Sequence, residues 1–437
     1  MRAHYEAMVR GIEARVDRAL RAQNLEESSP FYGAFAQTDG VYQAKSTMYA
    51  VASMATAYCN RDTRYYHDGA LLDRAALGFD FVDRVQHENG LFDYVTCNFY
   101  SAPDTAFCIL AWVPHLQYLM GREDLTEGEA LIKARMEKVV RAGGRGLLEG
   151  GFHTPNHRWA IASLLACCGK MFGEEDLTRA AWAYLNEGMD CNADGEYAEK
   201  SAGNYNQVNN DAMLLLSRSL GDPSYEENAL RNLKMMLTYW EPDDSVFTAN
   251  STRFDKDRLV YPGQYYWEYL DLGIRRQVPE FLSMANHIME IYREKNLDAP
   301  DFLMEYMLYP SYVDYEWDQS GTPAVYRAFY RDSGIARVRR GGWTYTVMQG
   351  KSNFLYVHNG SIKLAVKIGG SFCEHRAFKA ETMTEDPDGT FRLHQTMRGW
   401  YYLPFREKPA TSDWWKMDNA ARDKKLGPDM DIDLSLI

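Results

Sequence analysis

The chain has 437 residues, too many for one ordinary hydrophobic core, and its 46% hydrophobic and 25% charged composition is that of a globular soluble protein. A formal net charge of −13 with no basic stripe argues against a nucleic-acid partner, and no apolar run reaches transmembrane length, so no membrane partner is expected. A polyanionic substrate would need a locally basic cleft in this acidic body.

Aromatic residues make up 14% of the chain, with 30 Tyr and 10 Trp, enough to line a carbohydrate cleft as well as to fill cores. The seven cysteines are odd in number and lack CxxC or ligand-like spacing, which predicts free thiols in a reducing compartment. The N-terminal stretch Met1–Glu6 has no signal-peptide core. The expected location is cytoplasmic, or periplasmic or secreted if a signal peptide has been removed.

From residue 1 to 332 the hydrophobic pattern is helical. Met8, Ile12, Val16 and Leu20 recur at steps of four in the first helix, over 1–23. Further helices are predicted near 44–59, 64–87, 104–121, 125–143, 156–172, 175–190, 205–220, 223–238, 263–273, 276–295 and 299–309, and no strand alternation is evident among them. The loops repeat. Asp39-Gly40, Asn89-Gly90, Gly150-Gly151 and Asp194-Gly195 each precede an aromatic and then a helix, and Asp243-Asp244 is a degraded fifth copy. Their spacing, roughly 45–60 residues, is one helical hairpin with its loops. About six stacked pairs close most simply into an (α/α)-toroid, with an open solenoid as the alternative. The special loops then share one rim and border one cleft.

The period changes near 334. Strands are predicted at 335–340, 343–348, 353–358, 362–367, 390–394 and 397–402, separated by Gly-rich turns. The expected architecture is α+β multidomain, with a catalytic toroid over 1–332 and an antiparallel, sandwich-like β-sheet domain over 333–437 that is either small or cut from a longer natural chain. Residues 310–333, rich in Tyr, Asp and Pro, read as an ordered linker.

Chemistry concentrates at 150–158. Thr154 is a candidate N-cap and Pro155 suits the first helical position, so Asn156, His157 and Arg158 occupy a first turn that favours an anion. Asn, His, Tyr and Arg are the side chains that β-elimination on a uronic acid needs. An amide or guanidinium binds the C6 carboxylate, a base takes the C5 proton, and an acid protonates the leaving O4. The rim loops offer His153, Asn98, Asn206, Arg253 and Tyr265, with Arg158, as substrate contacts.

Asn156-His157 and the run Asp194-Gly195-Glu196-Tyr197-Ala198-Glu199-Lys200-Ser201 followed by Tyr205 resemble two motifs of the heparinase II/III-type and alginate-lyase-type polysaccharide lyases. Those enzymes have a helical toroid followed by a β-domain. The resemblance implies that Asn156 neutralises the uronate carboxylate. His157 is then the base for one C5 epimer or helps position the carboxylate. Tyr205 donates to the leaving oxygen, and also takes the proton when both lie on one face. Tyr356-Val357-His358-Asn359-Gly360 is a looser match to a strand-turn that supplies a histidine. The implied partner is an acidic polysaccharide or oligosaccharide. No cofactor is required, and His358, His375 and His394 lack ligand spacing, so no metal is expected. Two alternatives stay open: a toroid glycoside hydrolase using paired carboxylates, for which Asp104 and Asp211 are candidates, and a non-catalytic glycan-binding protein.

Overall fold

Helices that must be buried on all sides differ in composition from those that need one apolar stripe, and this difference organises the first part of the chain. A computed structural model describes residues 1–317 and 325–437. Contacts divide the chain into two units, Met1–Leu237 with Val246–Thr322, and Thr238–Ser245 with Pro323–Ile437. The expected linker over 310–333 lies partly outside the described residues.

The described residues of the first unit hold α1 (Arg2–Ala22), α2 (Ala44–Cys59), α3 (Gly69–Val85), α4 (Ala102–Leu110), α5 (Val113–Met120), α6 (Glu127–Gly146), α7 (Pro155–Phe172), α8 (Glu175–Leu185), α9 (Tyr205–Leu220), α10 (Glu226–Met236), α11 (Tyr266–Arg275), α12 (Pro279–Glu294) and α13 (Leu303–Leu308). Twelve of the sixteen residues of α2 are buried, against Met8, Ile12 and Val16 alone in the twenty-one of α1. The first kind forms an inner ring of α2, α4 with α5, α7, α9, α11 and α13. The second kind returns outside it as α3, α6, α8, α10 and α12. The sixth pair joins the two ends of the unit: α1 packs against α13, Met1 donates its terminal ammonium to the Tyr315 carbonyl at 3.2 Å, and Arg2 binds Asp314. The unit is therefore an (α/α)-toroid.

Most predicted helices stand where the periodicity puts them. The 104–121 stretch is two helices, because Pro114 lacks the amide hydrogen that a continuous helix would use. The hairpin β1 (Phe92–Tyr94) and β2 (Asn98–Ser101) appears where no strand was expected. It is too short to show alternation.

The repeating turn is real in four of its five copies. At Gln37, His87, Asn192 and Glu241 the backbone N–H donates to the carbonyl four residues on, at 2.8–3.0 Å. Its carbonyl in turn accepts from the residue three on, at 2.8–3.1 Å. That residue is left-handed: Gly40, Gly90, Gly195 and, in the degraded copy, Asp244 with φ 66°. Asp is one of the few residues that tolerates this conformation. A Cβ on Gly90 would lie 2.0 Å from the Ala142 carbonyl oxygen, so glycine is required there. Gly150-Gly151 is not a copy. Gly150 instead closes a 3-10 turn over Leu147–Glu149, just before α7.

The second unit contains β3 (Tyr326–Tyr330), β4 (Ile335–Arg340), β5 (Trp343–Met348), β6 (Asn353–His358), β7 (Lys363–Lys367), β8 (Gly369–Phe372), β9 (His375–Ala377), β10 (Thr382–Glu385), β11 (Phe391–Met397), β12 (Trp400–Tyr402), β13 (Lys424–Leu426) and β14 (Met430–Leu436). β3 to β7 form an antiparallel meander, and β10-β11-β14 form a second sheet with β11 in the middle. Phe354, Phe378, Met383, Phe391 and Leu393 make their shared core. The sheet starts before residue 333, since β3 pairs with β4 along its full length.

The opposite face of the meander is polar and carries Arg337, Thr344, Thr346 and His358. Arg337 is fully buried. It donates to Glu241 at 2.8 Å and to the Thr238 carbonyl at 2.9 Å, so the segment Thr238–Ser245 belongs to this unit, far in sequence from the strands it joins. Burial opposes the charge on Glu241. The Arg337 cation, with hydrogen bonds from His358 and Thr344, outweighs it and holds the carboxyl down at about 2.

Removing one partner leaves the other charge buried alone. Glu241→Ala is expected to cost about 3–5 kcal/mol in denaturant unfolding. Because the folded value is depressed, the wild-type contribution is complete above the ordinary Glu value of about 4.3 and is lost as pH falls from there toward 2. Acid titration of unfolding should show that loss in the wild type and not in the variant.

Candidate active site

The first turn of α7 is built as the sequence suggests: Thr154 precedes it, Pro155 opens it, and Asn156 and His157 follow. The anion there is one of the protein's own. Glu199 accepts from the Asn156 backbone N–H at 2.9 Å and from its Nδ2 at 2.8 and 2.9 Å. Asn156 is fully buried and its Nδ2 also reaches Thr154 Oγ1 at 2.8 Å. Its donors are therefore engaged by Glu199 and Thr154. Glu199 also meets Arg253 at 3.2 Å. Burial raises the Glu199 carboxyl above its usual range, against the Asn156 hydrogen bonds and the Arg253 charge.

The Glu199-x-Ser201-x-x-x-Tyr205 stretch is a positioning device. Ser201 Oγ accepts from the Tyr205 N–H at 3.1 Å and donates to Asp255 at 2.8 Å, which ties the first residue of α9 to the neighbouring loop. Asp255 also accepts from Ser251 at 2.6 Å and from the Gly203 N–H at 2.9 Å. The loops 194–205 and 248–255 are thereby latched together.

Tyr205 is half-buried, edge-on to Phe254, with the Arg253 guanidinium 5.4 Å from its ring centre. Burial pushes its phenol up, while a hydrogen bond and the charge of Arg253 pull it down. His157 is also half-buried, 5.7 Å from the Phe107 ring and 6.1 Å from His153, and its Nδ1 has no hydrogen-bond partner among the described residues. Burial lowers the imidazole below its ordinary value. Asp104 opposes this, and the charges of His153, Arg253 and Lys45 add to it. Arg253, beside Tyr205, meets the Glu199 carboxylate that Asn156 holds, and this joins the loop of Tyr205 to the helix start that carries His157.

Other predicted contacts are placed elsewhere. Arg158 pairs with Glu187 at 3.1 Å and lies 4.1 Å over the Trp159 ring. Asn206 is buried with its amide toward Met236, on the α10 side of its helix. Tyr265 is fully buried and donates to the Ala202 carbonyl at 2.5 Å, supporting the loop from beneath. Asn98 donates to Asp104 at 3.3 Å on the rim, and His153 is exposed beside His157. His358 is held in the second unit by Glu241 at 3.1 Å and lies 3.7 Å from Asp243.

The two carboxylates proposed for hydrolysis are not partners of each other. Asp104 accepts from Ser101 at 2.6 Å, whereas Asp211 accepts from Gln207 and lies by Glu268. Burial drives Asp211 up to about 7 and Glu268 well above its usual range. Asp211, with Phe107 and Gln207, lines a cavity of about 320 Å³ between the inner helices. Sequence reasoning named neither Glu199 nor Asp255 as functional. The Glu-x-Ser spacing ahead of Tyr205 was the available signal for the first, and nothing local marks the second.

No protein-family model matches the chain, and no curated protein matches it in sequence. Solved structures do share its fold. Paenibacillus xanthan lyase aligns with a TM-score of 0.56 at 12% identity, over 90% of this chain and 43% of that one. Streptomyces coelicolor A3 chondroitin AC lyase, solved with chondroitin sulphate, aligns with a TM-score of 0.54 at 14% identity, over 90% of this chain and 63% of that one. The chain spans less than two thirds of either protein. The fold is that of the toroid polysaccharide lyases, as the motif resemblance implies.

Ser201→Ala removes the hydrogen bond to the first residue of α9 and one Asp255 contact. It should lower stability by about 1 kcal/mol, read from thermal unfolding.

Proposed function

We propose that the chain is a polysaccharide lyase that cleaves a uronic-acid-containing glycan by β-elimination. The observation that carries this reading is Glu199, which joins Asn156, next to His157, to Arg253, beside Tyr205, at the starts of two adjacent inner helices. The fold shared with two polysaccharide lyases supports it. An acidic polysaccharide or oligosaccharide is then the substrate.

The chemistry follows from the groups present. Arg253 faces the C6 carboxylate and stabilises the charge that gathers there when the C5 proton leaves. His157, kept neutral by burial, takes the proton from one C5 epimer. Tyr205 gives a proton to O4 as the C4–O4 bond breaks, and the C5–H electron pair becomes the C4=C5 double bond. For the other epimer Tyr205 takes the proton as well, its phenolate favoured by Arg253. The products are a free hydroxyl and an unsaturated uronate, and no water is consumed. Asn156 acts through Glu199 and is a positioning residue.

One observation favours a second reading. Burial raises both the Asp211 and the Glu268 carboxyl, as the acid of a glycoside hydrolase requires. The two are separated by product: elimination creates a near-ultraviolet chromophore, and hydrolysis releases only reducing ends.

A panel of uronate polymers assayed by ultraviolet absorbance is expected to give at least one positive. Tyr205→Phe should abolish that signal with folding intact, and full activity in the variant removes Tyr205 from the mechanism. Arg253→Ala should lose on the order of 10²–10³ in kcat, as for loss of a charge-stabilising donor. Because His157 is depressed, the acidic limb of kcat/KM should lie below the ordinary histidine value of about 6.5 and vanish in His157→Ala with a substrate that Tyr205 alone can serve.

A further inference from the structure

The second unit ends in a lobe that leaves its aromatic residues in water. β12 and β13 form a two-stranded ribbon with Trp400 opposite Leu426, Tyr401 opposite Lys425 and Tyr402 opposite Lys424. Trp400, Tyr401, Tyr402 and Trp414 are 40–56% exposed, and Trp415 is 91% exposed. Large rings left in water next to one another mark a binding surface more often than a core defect.

Cations are threaded through these rings. Lys424 Nζ lies 5.3 Å from the centre of the Tyr402 ring, and the Arg422 guanidinium lies 5.1 Å from that of Trp414. Tyr402 and Trp414 meet edge to face at 6.1 Å. One face of the ribbon therefore alternates flat rings with positive charge, and Tyr401 with Lys425 repeats the combination on the other. Between residues 398 and 426 the sequence has seven Lys or Arg against four Asp or Glu, a local charge of +3 in a chain whose total is −13. Two of the four acids are paired with cations inside the lobe, and Arg398 pairs with Asp429 just beyond it at 3.1 Å. Asp423 binds Arg406 at 2.6 Å and Asp413 binds Lys416 at 3.2 Å.

We propose that this lobe is a non-catalytic binding surface for an acidic polysaccharide. Aromatic faces stack on sugar rings, and the exposed Lys424 and Lys425 meet the carboxylate or sulfate groups carried between them. The proposal rests on the functional reading above for the ligand class alone. It uses none of the residues assigned to elimination.

Affinity electrophoresis tests it, with the full chain carrying Tyr205→Phe so that polymer is not consumed. Gels containing alginate, chondroitin sulfate or neutral dextran are compared. Retardation is expected in an acidic polymer and not in dextran, and it should weaken with added salt. Trp415→Ala, and separately Lys424→Ala with Lys425→Ala, should each weaken it by about tenfold, the scale of one lost ring or charge contact. Trp415 is exposed enough that its variant should melt with the parent. No retardation in either acidic polymer, equal retardation in dextran, or indifference to both sets of substitutions would overturn the proposal. So would a change seen only in sedimentation, which would make the lobe a self-association surface. A chain that cleaves uronate polymers yet ignores these substitutions loses this proposal and keeps the lyase reading. One that binds through Trp415 and cleaves nothing does the reverse.

Discussion

Glu199 holds the first unit's rim together. Its carboxylate sits at the N-terminus of α7, where free N–H groups and the helix dipole call for a negative charge. The protein supplies that charge from the next helix pair. Through Asn156 and Arg253 the same carboxylate ties three loops to one another, and its burial makes the arrangement sensitive to any loss of a partner. Ser201 and Asp255 then fix where α9 begins, and so where Tyr205 stands. The proposed chemistry depends on groups whose positions this network sets.

The toroid beneath the rim follows from helices of two kinds. Inner helices such as α2 and α7 are apolar on most sides, since each touches neighbours in the ring as well as its own outer partner. Outer helices such as α1 carry a single stripe. The ring closes through contacts between α1 and α13, at opposite ends of the unit, and this closure leaves the cavity that Asp211 faces. In the second unit a comparable constraint is the buried Arg337–Glu241 pair. It holds the degraded fifth copy of the repeating turn against a sheet that begins about eighty residues later.

Much of this was legible in the sequence. The 3.6-residue periodicity placed most helices, and the change to alternation near 334 marked the sheet. The Asp-Gly turns revealed the pair repeat because a left-handed position admits few residues, and even the degraded copy at Asp243-Asp244 keeps the turn. Short strands escaped notice. β1, β9 and β13 have three residues each, too few to display a period. The segment Thr238–Ser245 could not be assigned to the second unit, since its partner Arg337 is distant in sequence.

For the candidate site, residue type and first-turn position brought out Asn156 and His157, and the resemblance to the lyase motif brought out Tyr205, which opens the next inner helix. Arg158 and Tyr265 looked equally available, since a charged or hydroxylated side chain carries no local record of its partner. Only the tertiary structure decided that Glu187 takes the first and the Ala202 carbonyl the second. It also decided that Asn156 faces Glu199 and that Arg253 stands by Tyr205. Periodicity and turn chemistry are local properties, written within a few residues. Which buried charge meets which donor depends on how helix pairs fifty residues apart come to rest against each other.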